Sequence, residues 1–378
     1  MLKCAVLGLG NCGGNIAWKV HETMKFDVMV INTSANDLSG ISDIFSKLFG
    51  DGKGVGKDRE ESKRAFKADI KDIMSDPETE QIFDDKDIIF VVSSCGGGTG
   101  SGVAFITATV LSVSYPKSII IPIGVMPLLS EGMGSQLNFL DYYADLRGKA
   151  STMPYMLYDN NKYANLPHKQ IIETVNNKIV NDITVLTGYY NNSTNLDSID
   201  ERDLQTILSA PGRIVVGSVT DIKERDVDDL SIEDMLLADI KTGAHAEMQR
   251  DRRVTATGVI SCLSSRIPFN PMIPDVHEVI GVPTDTFQHI HINADKNDTN
   301  NVFLIMSGLS IPRDRKDRAA ERVKAMNEAQ NAIAADDDED DMGSYRELQK
   351  KRVRANRVDT APARKDITYD DVFSQYGL

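Results

Sequence analysis

The sequence predicts an α/β fold: a doubly wound, Rossmann-like parallel sheet joined by one long helix to a smaller α+β half. Three observations carry this. Residues 1 to about 150 alternate short, nearly continuous apolar runs with helical stretches, the pattern of parallel strands buried on both faces. Two of those runs end in glycine-rich turns that open helices. After residue 150 the pattern changes to one long amphipathic helix followed by mostly β-type segments.

Each element can be justified in turn. "CAVLGLG" (4–10) reads as a strand ending in a glycine turn, "NIAWKVHETM" (15–24) as the next helix and "DVMVIN" (27–32) as a second strand. A charged helix over 58–76 precedes the strand "DIIFVVSS" (87–94), the segment "GVAFITATVLSVS" (102–114) and the strand "SIIIPIGVMP" (118–127). In the stretch 166–190, Ile171, Val175, Ile179 and Ile183 recur at i, i+4 and form one apolar stripe, which predicts a long helix bridging the two halves. The segments at 213–219, 254–261, 288–293 and 301–309 read as strands, with one obvious helix at 232–241. The expected division is therefore a nucleotide-binding domain over 1–164, the central helix over 165–192, a second domain over 193–312 and a last surface helix over 313–335. Beyond it, "DDDEDD" (336–341) gives way to a basic stretch (345–357), and opposite charge blocks predict a disordered tail over 336–378 with short interaction segments. Trp18 is expected in the core. His289 and His291 alternate on one strand face and are expected to be structural.

Composition excludes several classes. With 41% hydrophobic residues the chain can bury a sizeable core. The net charge of −14 argues against a folded body that wraps nucleic acid. Cys4, Cys12, Cys95 and Cys262 form no C-x-x-C pair and no zinc spacing, so neither a disulfide framework nor a structural metal is expected. No apolar run approaches the ~18 residues of a membrane helix, and the first is too short for a signal-peptide core. A soluble, acidic, intracellular protein without a membrane partner is expected.

Chemistry concentrates in two loops. Gly8-Leu9-Gly10-Asn11-Cys12-Gly13 satisfies G-x-G-x-x-G and opens a helix, where backbone amides favour phosphate. A dinucleotide site would also expect an acid at the end of the second strand, to hold a ribose hydroxyl. Asn32 and Thr33 stand there instead, which counts against NAD. Cys95-Gly96-Gly97-Gly98-Thr99-Gly100-Ser101-Gly102 is more specific: five glycines, with Thr99 and Ser101 interposed, between an apolar strand and a helix. Such backbone can curl its amides around an anion, and two anion loops at neighbouring strand ends suit a polyphosphate. "GDGKGVGKD" (50–58) imitates a P-loop but has Asp51 where glycine is required and Asp58 after Lys57, so it reads as a further loop beside the phosphates.

"GGGTGSG" (96–102) resembles the signature loop of the tubulin and FtsZ family of polymerising GTPases, and other segments follow in that family's order. "GLGNCGGN" (8–15) is similar to its first phosphate loop, "INTSAND" (31–37) to the loop after its second strand and "MPLLSEG" (126–132) to its sugar loop. "LYDNN" (157–161) is similar to the loop before the central helix, and "NLDSID" (195–200) to the N-x-D-x-x-D catalytic loop after it. Length and the charged tail look more like the TubZ and phage-tubulin branch than like bacterial FtsZ or eukaryotic tubulin. One departure is that "EGMGSQ" lacks the arginine that FtsZ carries after its sugar loop.

The resemblance implies an assembly-dependent GTPase using GTP/GDP and Mg²⁺. It implies nucleotide contacts at Gly10, Asn11, Cys12, Gly13, Asn15, Asn32, Gly96, Gly97, Gly98, Thr99, Gly100, Ser101 and Glu131. Guanine would be read near Asp159, Asn160, Asn177 and Asn181, with Tyr158 or Tyr163 as stacking candidates. Asn195, Asp197 and Asp200 would polarise water on the nucleotide of the next subunit, so the active site forms in a head-to-tail filament. The implied setting is a bacterial or phage-infected host cytoplasm, with plasmid or phage DNA segregation through a DNA-bound adaptor as the role. Bacterial division and a non-polymerising dinucleotide-dependent enzyme are the alternatives.

Overall fold

The computed structural model describes residues 2–41, 43–188, 200–248, 251, 254–293, 299–336 and 369–377. Its ten strands form one continuous sheet in the order β3-β2-β1-β4-β5-β6-β7-β10-β8-β9. The parallel half contains β1 (Cys4–Leu9), β2 (Asp27–Asn32), β3 (Phe45–Leu48), β4 (Ile88–Ser94), β5 (Ile119–Met126) and β6 (Pro154–Asp159). Every residue of β1 and β6 is buried, and nearly all of β4 and β5, as expected for strands covered on both faces. β7 (Gly212–Val219) joins this half by a short parallel pairing, Pro154 with Gly212 and Tyr155 with Arg213. β10 (Asn301–Leu309) then runs antiparallel to β7 and to β8 (Ala256–Ser264), and β9 (Asp285–Asn293) closes the edge parallel to β8.

The helices fall on the two faces of the sheet. α1 (Gly10–Met24) and α7 (His168–Leu186) pack together on one face, in the core that includes Ile16, Val20, Ile171, Val175, Ile179 and Ile183. The stripe expected of the central helix is the buried one. On the other face lie α3 (Arg59–Met74), α5 (Thr99–Ser114) and α6 (Met133–Lys149). α5 is buried along most of its length, since it sits between the sheet and a second layer of helices. α2 (Ala35–Ser39) and α4 (Pro77–Phe83) are short connectors. In the second half, α9 (Ile232–Thr242) covers β7, and α8 (Glu201–Ser209) and α10 (Pro274–Ile280) add two helices where one was expected. α11 (Asp314–Asp336) packs on α6. Among the described residues no helix is long and apolar enough to cross a membrane.

Two expectations need correction. Trp18 is 42% exposed on the outer side of α1, so it is no core residue. The tail does not stay off the body throughout. α12 (Tyr369–Ser374) buries Val372 and Phe373, with the Phe373 ring 6.4 Å from that of Phe66 on α3. Tyr369 and Tyr376 pair their hydroxyls with Ser114 and Thr109 of α5, at 3.1 and 3.3 Å. The rest of the expected interaction tail, residues 337–368, lies outside the described residues.

Candidate nucleotide site

The parallel strands all end at one edge, and the loops leaving that edge build the site. Gly10 has φ +68, which a side chain would strain, and a Cβ there would lie 3.3 Å from the Gly100 amide and from the Thr99 Cβ. The two glycine loops are thus in contact. At Gly13 and Gly100 the need is space: a Cβ would come within 2.1 Å of the Val92 carbonyl or 2.7 Å of the Leu9 carbonyl. Thr33 and Thr99 share a hydrogen bond of 2.7 Å, fastening the loop after β2 to the signature loop. The loop over 50–58 lies against the same place, because a Cβ on Gly98 would stand 2.7 Å from the Lys57 Cα. Asn138 of α6 holds this junction, donating to the carbonyls of Lys57 at 3.0 Å and Gly97 at 2.9 Å.

The electrostatics of this edge follow from how its helices begin. α1, α5, α6 and α7 start without a side-chain cap and without an acid in the first turn. The other helices differ: α2 and α3, which also start at this edge, are capped by Ser34 and Asp58, and α4, α8 and α9 by Asp76, Asp200 and Ser231, all with acids in their first turns. A helix start leaves N–H groups unpaired and carries partial positive charge. The loop edge therefore holds several such starts with no carboxylate of their own to answer them. That arrangement can bind an anion of several charges.

The expected contact residues divide into groups. Gly10, Cys12, Gly13, Gly96, Gly97, Gly98, Thr99 and Gly100 line the two contacting loops. Asn11 and Asn15 stand on the exposed side of α1 and bond each other at 2.7 Å. Burial, with Glu131 adding to it, pushes the Cys12 thiol up to about 12, so it stays neutral. Ser101 is buried and donates to the Gly97 carbonyl, so its hydroxyl shapes the loop rather than pointing out of it. Asn32 is likewise buried, accepting from the Ser34 amide and donating to Asp37, both at 3.2 Å. Glu131 accepts from the Leu128 amide at 2.9 Å and so closes its own loop.

The guanine candidates fare unevenly. The Asn160 Oδ1 is buried without a partner beside the loop edge, an acceptor left for something else to satisfy. Asp159 is buried and accepts from the Asn161 amide at 2.9 Å, so its carboxylate caps its own turn instead of facing the loops. Burial pushes that carboxyl up, against a lowering pull from Arg315. Asn177 and Asn181 are not brought to the loops. They lie nine and thirteen residues into α7, roughly 13 and 20 Å along it, and Asn177 accepts from Lys19 of α1. Tyr158 stacks on His245 at 4.7 Å and donates to Asp182 at 2.7 Å, deep in the core and away from any base. Tyr163 is half-buried against the same core.

The catalytic candidates lie elsewhere. Asn195 and Asp197 are outside the described residues. Asp200 is exposed and caps α8, accepting from the Arg202 amide at 2.8 Å. α7 begins at the loop edge and runs about 28 Å away from it, and α8 leads into Gly212, which pairs with Pro154 at the foot of the sheet. Asp200 therefore belongs to the end of the molecule opposite the glycine loops. Among the described residues no three His, Cys, Asp or Glu side chains stand together as a metal cage.

Sequence reading missed several residues that shape this edge. Asn138 and Gln136 are polar residues on the buried face of α6, which carries no helical apolar signal. Asn161 accepts from the Leu129 amide at 3.1 Å and ties the loop after β5 to the loop after β6, although it stood inside the motif already quoted.

Comparison with known proteins agrees with this fold. Residues 3–167 match the profile of the Tubulin/FtsZ family, GTPase domain. The Tubulin-like protein CetZ of Pyrococcus abyssi is 30% identical over 220 residues, 56% of this chain and 59% of its own length. The chain thus spans less than two thirds of that curated relative. Among solved structures, a GTPγS-bound protofilament of CetZ2 from Haloferax volcanii superposes with a TM-score of 0.70 at 18% identity, covering 87% of this chain and all 100% of that one. TubZ of Clostridium botulinum phage c-st, truncated at its C-terminal tail, gives 0.69 at 19% identity over 86% of this chain and 98% of its own. The fold is therefore shared with both CetZ and TubZ structures, and the curated sequence matches include both CetZ and FtsZ. Over residues 3–167 this chain is thus similar to the GTPase domain of the Tubulin/FtsZ family.

Proposed function

We propose that this chain binds GTP at the loop edge and hydrolyses it when subunits stack head to tail. The observation that carries this reading is the contrast between the two ends of α7. One end presents uncapped helix starts and two touching glycine loops; the other presents Asp200 with Glu201 and Asp203 behind it. A subunit holding both parts at opposite ends cannot bring them together by itself. A second copy placed foot to loop edge can, and such a heterologous contact repeats into a filament.

In this mechanism the backbone at Gly10–Gly13 and Gly97–Gly100 holds the β- and γ-phosphates by amide donation. Asn160 is the strongest remaining contact for the nucleoside. Asp200, with Asp197 and Asn195 from the preceding loop, orients and polarises the attacking water from the neighbouring subunit. With no protein cage for it among the described residues, Mg²⁺ would be carried chiefly by phosphate oxygens and water, as this ion usually is. It would supply charge neutralisation at the phosphates. The finer role we propose is segregation or positioning of plasmid or phage DNA in a bacterial or infected-host cytoplasm, through a DNA-bound adaptor that meets the charged segment at 336–368.

The test is GTP turnover against protein concentration. Turnover per subunit should rise steeply with concentration and stay near zero where light scattering detects no polymer. Turnover per subunit that is constant across that range would contradict the reading.

A further inference from the structure

Arg315 stands in the first turn of α11, in the charged run "RDRKDRAAER", yet it is only 1% exposed. A buried guanidinium persists only where acceptors meet it. Its partners are both on the loop edge. Nε donates to the Asp159 Oδ1 at 3.3 Å, and Nη2 donates to the Pro127 carbonyl. The guanidinium also lies 5.2 Å from the centroid of the Phe139 ring. Asp159 ends β6 and begins the turn that holds Asn160 and Asn161; Pro127 begins the loop that contains Glu131. These two loops are already tied by the hydrogen bond from the Leu129 amide to Asn161. One planar fork from the far part of the chain therefore fixes the start of both.

The phosphate loops have holds of their own. The signature loop is held by Thr33, by Asn138 and by the Cys95 amide, which donates to the Val125 carbonyl at 2.8 Å. We infer that Arg315 is a positioning residue for the nucleoside part of the ligand: it touches no nucleotide itself but sets the two loops on which the sugar and base would rest. Lysine cannot replace it fully, because a point charge cannot span two acceptors in fixed directions. Losing the cation would leave Asp159 buried and uncompensated, and the turn over 160–163 would move to relieve it.

The inference rests on the GTP-binding reading, and the experiment separates the two. Wild type and Arg315→Met are titrated calorimetrically with GTP and, in parallel, with inorganic tripolyphosphate, which needs only the phosphate loops. GTP affinity should fall at least tenfold in Arg315→Met while tripolyphosphate affinity stays within twofold, and Arg315→Lys should fall between. If Arg315→Met does not yield folded protein, the double variant Arg315→Met/Asp159→Asn, which leaves no unpaired charge, is titrated instead with the same expectation. Unchanged GTP affinity, or an equal fall for both ligands, would overturn the positioning role. A wild-type chain that does not bind GTP would overturn the functional reading itself.

Discussion

The two ends of α7 are built by opposite rules, and the proposed nucleotide site rests on that contrast. At the foot, α8 starts with Asp200 as its cap and Glu201 and Asp203 in its first turn, which satisfies the helix from within. At the loop edge, α1 starts on Gly10 and α5 directly after Gly98, with no cap and no acid, so their amides stay available. Leaving a helix start unsatisfied costs stability, typically ~1 kcal/mol for a missing cap. Four helices at one edge forgo it together, which leaves that edge rich in unpaired donors. A donor-rich end and a carboxylate-bearing end on one body are also complementary between two copies.

The largest expected effect comes from breaking the loop edge. Gly98 has an ordinary φ of −86, so backbone freedom is not the reason for glycine there. The reason is contact with Lys57, whose Cα would lie 2.7 Å from any Cβ. Gly98→Val should therefore push the loop at 50–58 off the signature loop. Losing two hydrogen bonds to a charged ligand costs about 3 kcal/mol, so GTP affinity measured with a fluorescent analogue should fall roughly a hundredfold. Circular dichroism should show the helices intact.

Breaking the foot should leave binding alone and remove turnover. Asp200→Asn keeps an amide oxygen for the cap but has no charge to polarise water. Its GTP affinity as a monomer should match wild type, while hydrolysis falls by about two to four orders of magnitude. If Asp200→Asn monomers lose GTP, the carboxylate serves its own pocket and the scheme fails.

A smaller effect belongs to α12, which sits on α3 and α5, the helices that follow the loop over 50–58 and the signature loop. Removing residues 369–378 exposes the pocket filled by Val372 and Phe373. Burying side chains of this kind is worth about 2 kcal/mol each, so denaturant midpoints should show a loss of roughly 3 kcal/mol. Unaltered stability would mean that the segment is not docked in solution.

The smallest is a pH effect in the joint between the halves. Asp182 of α7 is fully buried; burial raises its carboxyl, but Lys178 and His245 outweigh this and the net shift is downward. Its contribution to stability is present above the ordinary carboxylate value and is lost as pH falls through the lower folded value. Unfolding measured below pH ~4 should therefore show a declining acid limb, shallower in Asp182→Asn.

Legibility in the sequence tracked burial symmetry. Strands covered on both faces, such as Cys4–Leu9 and Ile88–Ser94, are apolar throughout and declare themselves. α6 does not, because its buried face includes Ser135, Gln136 and Asn138, whose partners are loop carbonyls rather than apolar side chains. α10 is too short, at 7 residues, for periodicity to stand out. That both glycine loops follow strands and open helices was readable, since glycine runs mark turns where backbone comes close to backbone. How deep Asn177 and Asn181 lie along α7 was not, because depth depends on where the helix starts relative to the loops. Arg315 was hidden in the same way: one buried guanidinium looks like its exposed neighbours until the partners across the chain are known.

The central claim is that catalysis needs the loop edge of one copy and the foot of another. Gly98→Val lacks the first and Asp200→Asn lacks the second, so each alone should hydrolyse almost no GTP. Mixed in equal amounts, the two should regain turnover, because an Asp200→Asn subunit can hold GTP beneath an intact foot supplied by Gly98→Val. A mixture as inactive as its components would contradict the account, as would an Asp200→Asn protein that hydrolyses GTP at the wild-type rate by itself.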